Sequence, residues 1–132
     1  MLKKYIKKLF SKSDEDFDTH LPKDEKVTFV LKVDDIDLAT LKSENGVWVF
    51  KYTNEFKEHQ DEYTLIVGFP HLDKEYRSNY LWPFFQIRIP GLKQPAIQEI
   101  IQKENIDQGN QVELLKRFGR KTIANPYELV LA

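Results

Sequence analysis

The sequence has 132 residues and a mass of 15.7 kDa, which fits one domain of ordinary size. Its 20 basic and 21 acidic residues leave a net charge of −1, which argues against a dedicated nucleic-acid-binding protein. Cysteine is absent, so disulfides, thiolate metal sites and cysteine nucleophiles are excluded. No apolar run approaches the ~20 residues that span a bilayer, and the lysine-interrupted start is not a secretory signal. We therefore expect a soluble, cytoplasmic protein.

Residues 1–26 differ in composition from the rest of the chain. Apolar residues at helical spacing, with lysines between them, predict a short amphipathic helix, which an acidic and polar linker follows; the apolar positions are Leu2, Tyr5, Ile6, Leu9 and Phe10. Such a helix could bind a membrane surface or a partner. Docking on its own domain, or fraying as a terminus, is the favoured interpretation. The predicted division is a helix and linker over 1–26 and a domain over 27–132.

A pattern of β-branched and aromatic residues begins at Val27 and predicts three antiparallel strands, over residues 27–33, 36–41 and 47–52. The Asn-Gly pair at 45 and 46 is the strongest short hairpin signal in the chain. Alternation in the third strand places Trp48, Phe50 and Tyr52 on one face, which we expect to be buried.

The later segments complete the predicted fold. A helical turn is expected around Phe56 and a fourth strand over residues 63–69. Residues 78–89 predict a helix in which Pro83 lies in the first turn or makes a kink. Further helices are predicted from Pro95 and from an Asn110 cap, before a last strand over 127–131; Gly119 caps the second of these helices. The fold class is α+β: a small antiparallel sheet or partly closed barrel of about five strands, with three to four short helices.

One string, over residues 71–79, is similar to a kinase catalytic loop, in which Asp accepts a proton and a later Asn holds magnesium. The spacing from Asp73 to Asn79 is one residue too long, and no glycine-rich phosphate loop accompanies it. A polar loop is the favoured interpretation. The three histidines show no paired ligand spacing. We assign no catalytic residue, metal or cofactor.

The basic residues over 116–121 allow two interpretations. They could contact phosphate or nucleic acid, or they could complement the dipole at the carboxyl end of a helix. With a net charge of −1, the second interpretation is favoured. We expect no tight direct binding to DNA and no membrane association.

The aromatic run over residues 80–85 contains the candidate interface. Phe84 or Phe85 is expected in the core, but Trp82 precedes a proline, which biases it away from helical geometry and towards the rim of the helix. Tryptophan at such a boundary is a typical anchor of a protein interface. The predicted partner-binding residues are Ser78, Tyr80, Leu81, Trp82 and Pro83.

The order of these pieces resembles the N-terminal subdomain of HipA-type toxin kinases. The features that carry the resemblance are the Asn-Gly hairpin with Phe50 and Tyr52, the pair Phe84-Phe85 before Pro90, and Leu114-Leu115 before Gly119-Arg120. The resemblance covers roughly residues 27–131. The chain departs from the family where Arg88-Ile89-Pro90 replaces a Leu-Leu-Pro sequence. The kinase body that follows the subdomain in the family has no counterpart in these 132 residues.

The resemblance implies a small HipS-like antitoxin, which docks on a HipA/HipT-like serine/threonine kinase in trans and neutralises it without being an enzyme. It further implies a HipB-like helix-turn-helix protein in a ternary complex. The alternative is an assembly factor that links the kinase to this repressor and neutralises nothing alone. An enzyme with an unrecognised site is a third, weaker alternative.

Overall fold

The computed structural model of this protein describes residues 19–22 and 25–132. The predicted amphipathic helix therefore lies outside the described residues. The described chain contains one five-stranded antiparallel sheet, whose strands are β1 (Val27–Val33), β2 (Ile36–Glu44), β3 (Val47–Tyr52), β4 (Tyr76–Ser78) and β5 (Glu128–Leu131). Their spatial order is β4-β3-β2-β1-β5. The sheet is open rather than closed into a barrel.

The first three strands form the predicted meander. Asp34 takes a positive φ of 52° in the turn between β1 and β2. Asn45 and Gly46, with φ values of 53° and 77°, connect β2 to β3. Positive φ at both central residues is the geometry that a two-residue hairpin requires, and Asn-Gly adopts it at low cost. The hairpin signal in the sequence is confirmed.

The prediction of a fourth strand over residues 63–69 is wrong, because this segment is a loop. The backbone N–H of Phe69 donates to the carbonyl of Ile66 at 2.9 Å, which closes a turn. Gly68 in this turn has a φ of +98°, a conformation that favours glycine. The fourth strand is instead β4, which pairs with β3 through three residue pairs.

Four helices lie among the described residues: α1 (Asn54–Glu58), α2 (Pro83–Gln86), α3 (Pro95–Glu104) and α4 (Gln111–Phe118). The helix predicted over residues 78–89 is therefore much shorter than expected. Its start is set by Pro83, since the preceding residue is extended, with a ψ of 149° at Trp82. Asn110 caps α4 as predicted, with its side-chain oxygen accepting from the N–H groups of Val112 and Glu113. None of the helices in the described ranges has the length and apolar character needed to traverse a bilayer.

One face of the sheet forms the core against α1, α2 and α4. The predicted aromatic face is confirmed, since Trp48, Phe50 and Tyr52 are all buried. Val112 and Leu115 from α4 pack into the same cluster. Burial of large aromatic side chains supplies most of the hydrophobic stabilisation in a core of this kind. A smaller cluster of Leu92, Ile101 and Leu114 joins α3 to α4.

The described residues before β1 contact the domain. The N–H of His20 donates to the carbonyl of Gly109 at 2.9 Å, and the N–H of Gln111 donates back to the carbonyl of His20 at 3.0 Å. The side chain of Asn110 donates to Glu25 Oε1 at 3.1 Å. These hydrogen bonds attach His20 and Glu25 to the start of α4. At the other end of the chain, the outward-facing N–H of Leu129 in β5 donates to the carbonyl of Arg120 at 2.9 Å.

Candidate partner-docking surface

The connection from β4 to α2 brings most of the predicted partner-binding residues to the surface. Ser78 ends β4, and its hydroxyl accepts a hydrogen bond from the backbone N–H of Tyr80 at 3.0 Å. This local bond is of the kind that side chains of serine make in turns. The turn directs Tyr80 outward, where 79% of its surface is exposed.

Trp82 occupies the N-cap position of α2, at the rim of the helix as the sequence predicts. Its carbonyl accepts hydrogen bonds from Phe85 and Gln86, at 2.9 and 3.0 Å, which begin the helix. The indole is half-buried rather than fully exposed, because it packs edge-on against Phe69 with 5.2 Å between ring centroids. Phe50 lies beneath it, at 6.4 Å. Trp82 therefore connects the aromatic core to the surface.

A recess opens beside this indole. It has a volume of about 230 Å³, and we call it the Trp82 pocket; its lining residues are Val67, Gly68, Phe69, Trp82, Pro83 and Phe84. The lining is almost entirely apolar. Val67 stands at the edge with 89% of its surface exposed. A recess with this lining suits an apolar side chain of a partner, because it offers shape and hydrophobic contact and no group for chemistry.

The far wall of the Trp82 pocket is tied to the core by Tyr52. Its phenol donates to the carbonyl of Phe69 at 2.7 Å and accepts from the N–H of Ile66 at 3.0 Å. Burial raises the pKa of Tyr52 to about 12, and the hydrogen bond from Ile66 opposes part of that rise. The two bonds hold the turn that carries Val67 and Gly68 opposite Trp82.

The predicted partner-binding residues do not all lie on this surface. Tyr80 and Pro83 are exposed, Ser78 and Trp82 are half-buried, and Leu81 is only 2% exposed. Leu81 packs into the main core cluster and cannot contact a partner from there. Its assignment to the interface is therefore corrected: in an irregular segment, neighbouring side chains point in different directions.

Four lining residues were not singled out from the sequence as site residues, namely Val67, Gly68, Phe69 and Phe84. The first three were missed because residues 63–69 were interpreted as a strand. Gly68 followed closely by Pro70 is a turn signal, and it could have indicated a loop at this position. Phe85 is the fully buried member of its pair, whereas Phe84 is half-buried and lines the pocket.

The kinase-like string over residues 71–79 forms a loop and the short strand β4. Asp73 pairs with Lys57, with 3.0 Å between their charged atoms, and is otherwise exposed. The N–H of His71 donates to the phenol oxygen of Tyr76 at 2.8 Å. No group of three or more His, Asp or Glu residues able to hold a metal occurs within residues 19–22 and 25–132.

His59, at the carboxyl end of α1, makes a structural contact. Its Nδ1 lies 2.9 Å from the carbonyl of Glu55, one turn earlier in α1. This hydrogen bond raises the pKa of His59, and the neighbouring carboxylates add to the rise. The contact completes the end of a short helix.

Two of the four cations over residues 116–121 are engaged within the chain. Arg117 makes a two-pronged ion pair with Glu104, at 2.7 and 3.0 Å, which lowers the pKa of that carboxyl group. Arg120 pairs with Glu128 in β5. Lys116 and Arg117 lie in the last turn of α4, where positive charge complements the helix dipole.

The chain matches the model of a known protein family. A family model described as the HipA N-terminal domain matches residues 31–124, which is more than half of the 132-residue chain. No curated protein matches the chain. No solved structure matches it either. The matched segment begins within β1 and ends before β5, so it contains β2, β3, β4, all four described helices and the Trp82 pocket. The chain therefore belongs to the HipA N-terminal domain family.

Proposed function

We propose that this chain is an antitoxin-type binding protein that docks on a HipA-like serine/threonine kinase and neutralises it in trans. Membership of the HipA N-terminal domain family links the chain to HipA-type toxin–antitoxin systems. The match is to the N-terminal domain and not to the kinase domain. The proposed activity is binding, in the cytoplasm, without catalysis or a cofactor.

The observation that carries the proposal is the Trp82 pocket with its exposed apolar edge. Val67 exposes 89% of its surface at the edge of an apolar recess, and Tyr80, two residues before Trp82 in the chain, exposes 79%. Contiguous apolar surface of this kind is unfavourable in water and is typical of sites that bind another protein. Aromatic residues beside a pocket are the side chains that most often dominate binding energy at such sites.

Docking at this surface would inhibit the kinase by occupying its cleft or by holding its lobes apart. Kinase activity requires lobe closure to assemble the catalytic groups, so a bound protein that prevents closure needs no chemistry of its own. The pocket would receive an apolar side chain of the kinase, while Tyr80 and Trp82 pack against the surface around it.

The test is co-expression of the 132-residue chain with a HipA-type kinase that lacks its own N-terminal domain. We expect growth to be restored and the two proteins to copurify. Val67→Asp should abolish rescue, because it places a charge at the edge of the Trp82 pocket without disturbing the core. Ala96→Asp is the matched control, since it adds the same charge at an exposed position on α3, outside the pocket.

Three results would contradict the proposal in different ways. If the two proteins copurify but growth returns only when a helix-turn-helix repressor is also supplied, the chain is an assembly factor. If neither copurification nor rescue occurs, the docking function is wrong. Transfer of phosphate by the pure chain would replace both interpretations with an enzymatic one.

A further inference from the structure

A second exposed element adjoins the Trp82 pocket. Residues 119–127 connect α4 to β5 and form a loop that we call the Ile123 loop. Thr122 and Asn125 pair as an isolated antiparallel bridge, which places Ile123 at the tip of a tight turn. The side chain of Ile123 is fully exposed. A singly exposed apolar residue is common on protein surfaces, so what distinguishes this loop is how it is held, what it adjoins and the charge around it.

Arg88 holds this loop in place. Its Nη1 donates to the carbonyls of Gly119 and Arg120, at 2.9 and 3.2 Å. Its Nη2 donates to Asn125 Oδ1 at 3.1 Å and to the carbonyl of Tyr127 at 2.9 Å. These four acceptors span the Ile123 loop from one end to the other. The loop is therefore fixed at both ends by one side chain.

The burial of Arg88 is costly. Only 3% of its surface is exposed, and all four of its acceptors are neutral oxygens. Burial lowers the pKa of Arg88 to about 10, so the guanidinium stays charged at neutral pH. Burying a charge without a carboxylate partner is unfavourable. The four hydrogen bonds of Arg88 fix the conformation of the loop in the unbound protein. A loop that is already ordered loses less conformational entropy when it binds a partner.

The Ile123 loop is continuous with the Trp82 pocket. The ring of Phe84, which lines the pocket, lies 5.8 Å from the ring of Tyr127 at the end of the loop. The guanidinium carbon of Arg88 lies 5.9 Å from the same Phe84 ring. A partner that covers the pocket can therefore reach the loop across Phe84.

The charge around Ile123 is positive. Residues 116–128 include the cations Lys116, Arg117, Arg120 and Lys121 and one acidic residue, Glu128. Arg120 already engages Glu128, and Arg117 engages Glu104. Lys116 and Lys121 are exposed. A surface with one projecting apolar side chain among cations complements an acidic surface with an apolar recess.

We propose that the Ile123 loop is a second contact element, which docks on an acidic surface of the same partner protein with Ile123 in an apolar recess. The inference rests on the proposed function, because it assigns the loop to the kinase that covers the Trp82 pocket. The pocket makes apolar contact at one end of the interface. The loop adds charge complementarity at the other end and so fixes how the two proteins are oriented.

The experiment measures the affinity of the parent chain and its variants for a catalytically inactive HipA-type kinase without its own N-terminal domain. Ile123→Ser should weaken binding about tenfold, as for loss of a buried apolar contact. Lys121→Glu should weaken it by a similar factor at low salt and less at high salt, since screening removes charge attraction. Lys51→Glu is the control, because Lys51 is exposed on β3 and outside both surfaces.

The outcomes separate this inference from the proposed function. If the parent chain does not bind the kinase, both are overturned. If the parent binds and Val67→Asp weakens binding while Ile123→Ser and Lys121→Glu do not, the inference alone is overturned. If Lys121→Glu instead reduces binding to duplex DNA at unchanged kinase affinity, the cations serve nucleic acid and the inference is likewise overturned.

Discussion

The two tryptophans of this chain lie in contrasting environments. Trp48 in β3 is completely buried, and its Nε1 donates to Gln111 Oε1 at 3.1 Å. Trp82 begins α2, is half-buried, and presents part of its indole to an open pocket. A strand position in a strict alternation directs one side chain to the core. A position before proline leaves the other at the boundary between the core and solvent.

The largest expected effect is that of Trp48→Ala on stability. Removing a fully buried indole leaves a cavity and should lower the free energy of unfolding by about 3–5 kcal/mol. Denaturant unfolding measures the loss. Trp48→Phe should cost less, because it keeps most of the ring volume. A cost below about 1 kcal/mol for the alanine variant would contradict the assignment of Trp48 to the rigid core.

Gln111→Met tests the polar half of the Trp48 site. Methionine has a side chain of similar length to glutamine, but it leaves the buried N–H of the Trp48 indole without its acceptor. This should lower the free energy of unfolding by about 1–3 kcal/mol. The variant also removes the hydrogen bond from Gln111 to Thr19, at 3.2 Å, which helps attach the N-terminal segment. Gln102→Met, at an exposed position of α3, is the control and should be nearly neutral.

Trp82→Ala should separate stability from binding. Loss of its contacts with Phe69 and Phe50 should cost about 1–2 kcal/mol, less than for Trp48 because the side chain is only half-buried. Kinase affinity should fall by about thirtyfold, as for an interface anchor. A stability loss equal to that of Trp48→Ala would make Trp82 mainly a core residue. Unchanged affinity would place the interface elsewhere.

Tyr52→Phe removes the phenol that holds the wall of the Trp82 pocket, and the effect on stability is measured as a function of pH. The phenol ionises at pH 10 in the unfolded chain and at about 12 in the folded one, so its ionisation between these values favours unfolding. The stabilisation that the neutral Tyr52 phenol gives the fold is therefore fully present below pH 10 and is lost as the pH rises to 12. The difference in the free energy of unfolding between the parent and the variant should shrink by about 2 kcal/mol over this range. A constant difference would contradict the raised pKa.

Tyr80→Ser should have the smallest effect on stability. Its ring is mostly exposed, so the free energy of unfolding should change by less than about 0.5 kcal/mol. Kinase affinity should fall by severalfold, because an exposed aromatic side chain two residues before Trp82 is lost from the proposed interface. Thermal unfolding measures the change in stability, and titration against the kinase measures the change in affinity. A drop in melting temperature as large as that of Trp82→Ala would place Tyr80 in the core as well.

The sequence predicts the parts of the fold that local pattern encodes. The three-strand meander, the Asn-Gly turn and the cap at Asn110 are confirmed, because alternation, turn chemistry and capping act over a few residues. The prediction of a strand over residues 63–69 is wrong because the backbone N–H of Ile66 donates to the phenol oxygen of Tyr52 in β3, and is therefore not available for strand pairing. The short strand β4 forms only because β3 offers it an edge.

The candidate surface is predictable to a similar extent. Tyr80, Trp82 and Pro83 are close in sequence, so one boundary argument finds all three. Val67 and Gly68 reach the pocket through tertiary packing, which no local pattern reports. The role of Arg88 in holding the Ile123 loop cannot be predicted from local sequence pattern either, since its acceptors lie more than thirty residues later in the chain.

The hydrogen bond from Leu129 to Arg120 also affects how the sheet meets other molecules. Open sheet edges invite strands of neighbouring chains to pair with them and so promote aggregation. In β5 one outward N–H group is already used by the chain itself. The opposite edge, β4, is only three residues long and carries the exposed Arg77. Neither edge offers a long template for strand addition, which disfavours edge-to-edge aggregation of the chain.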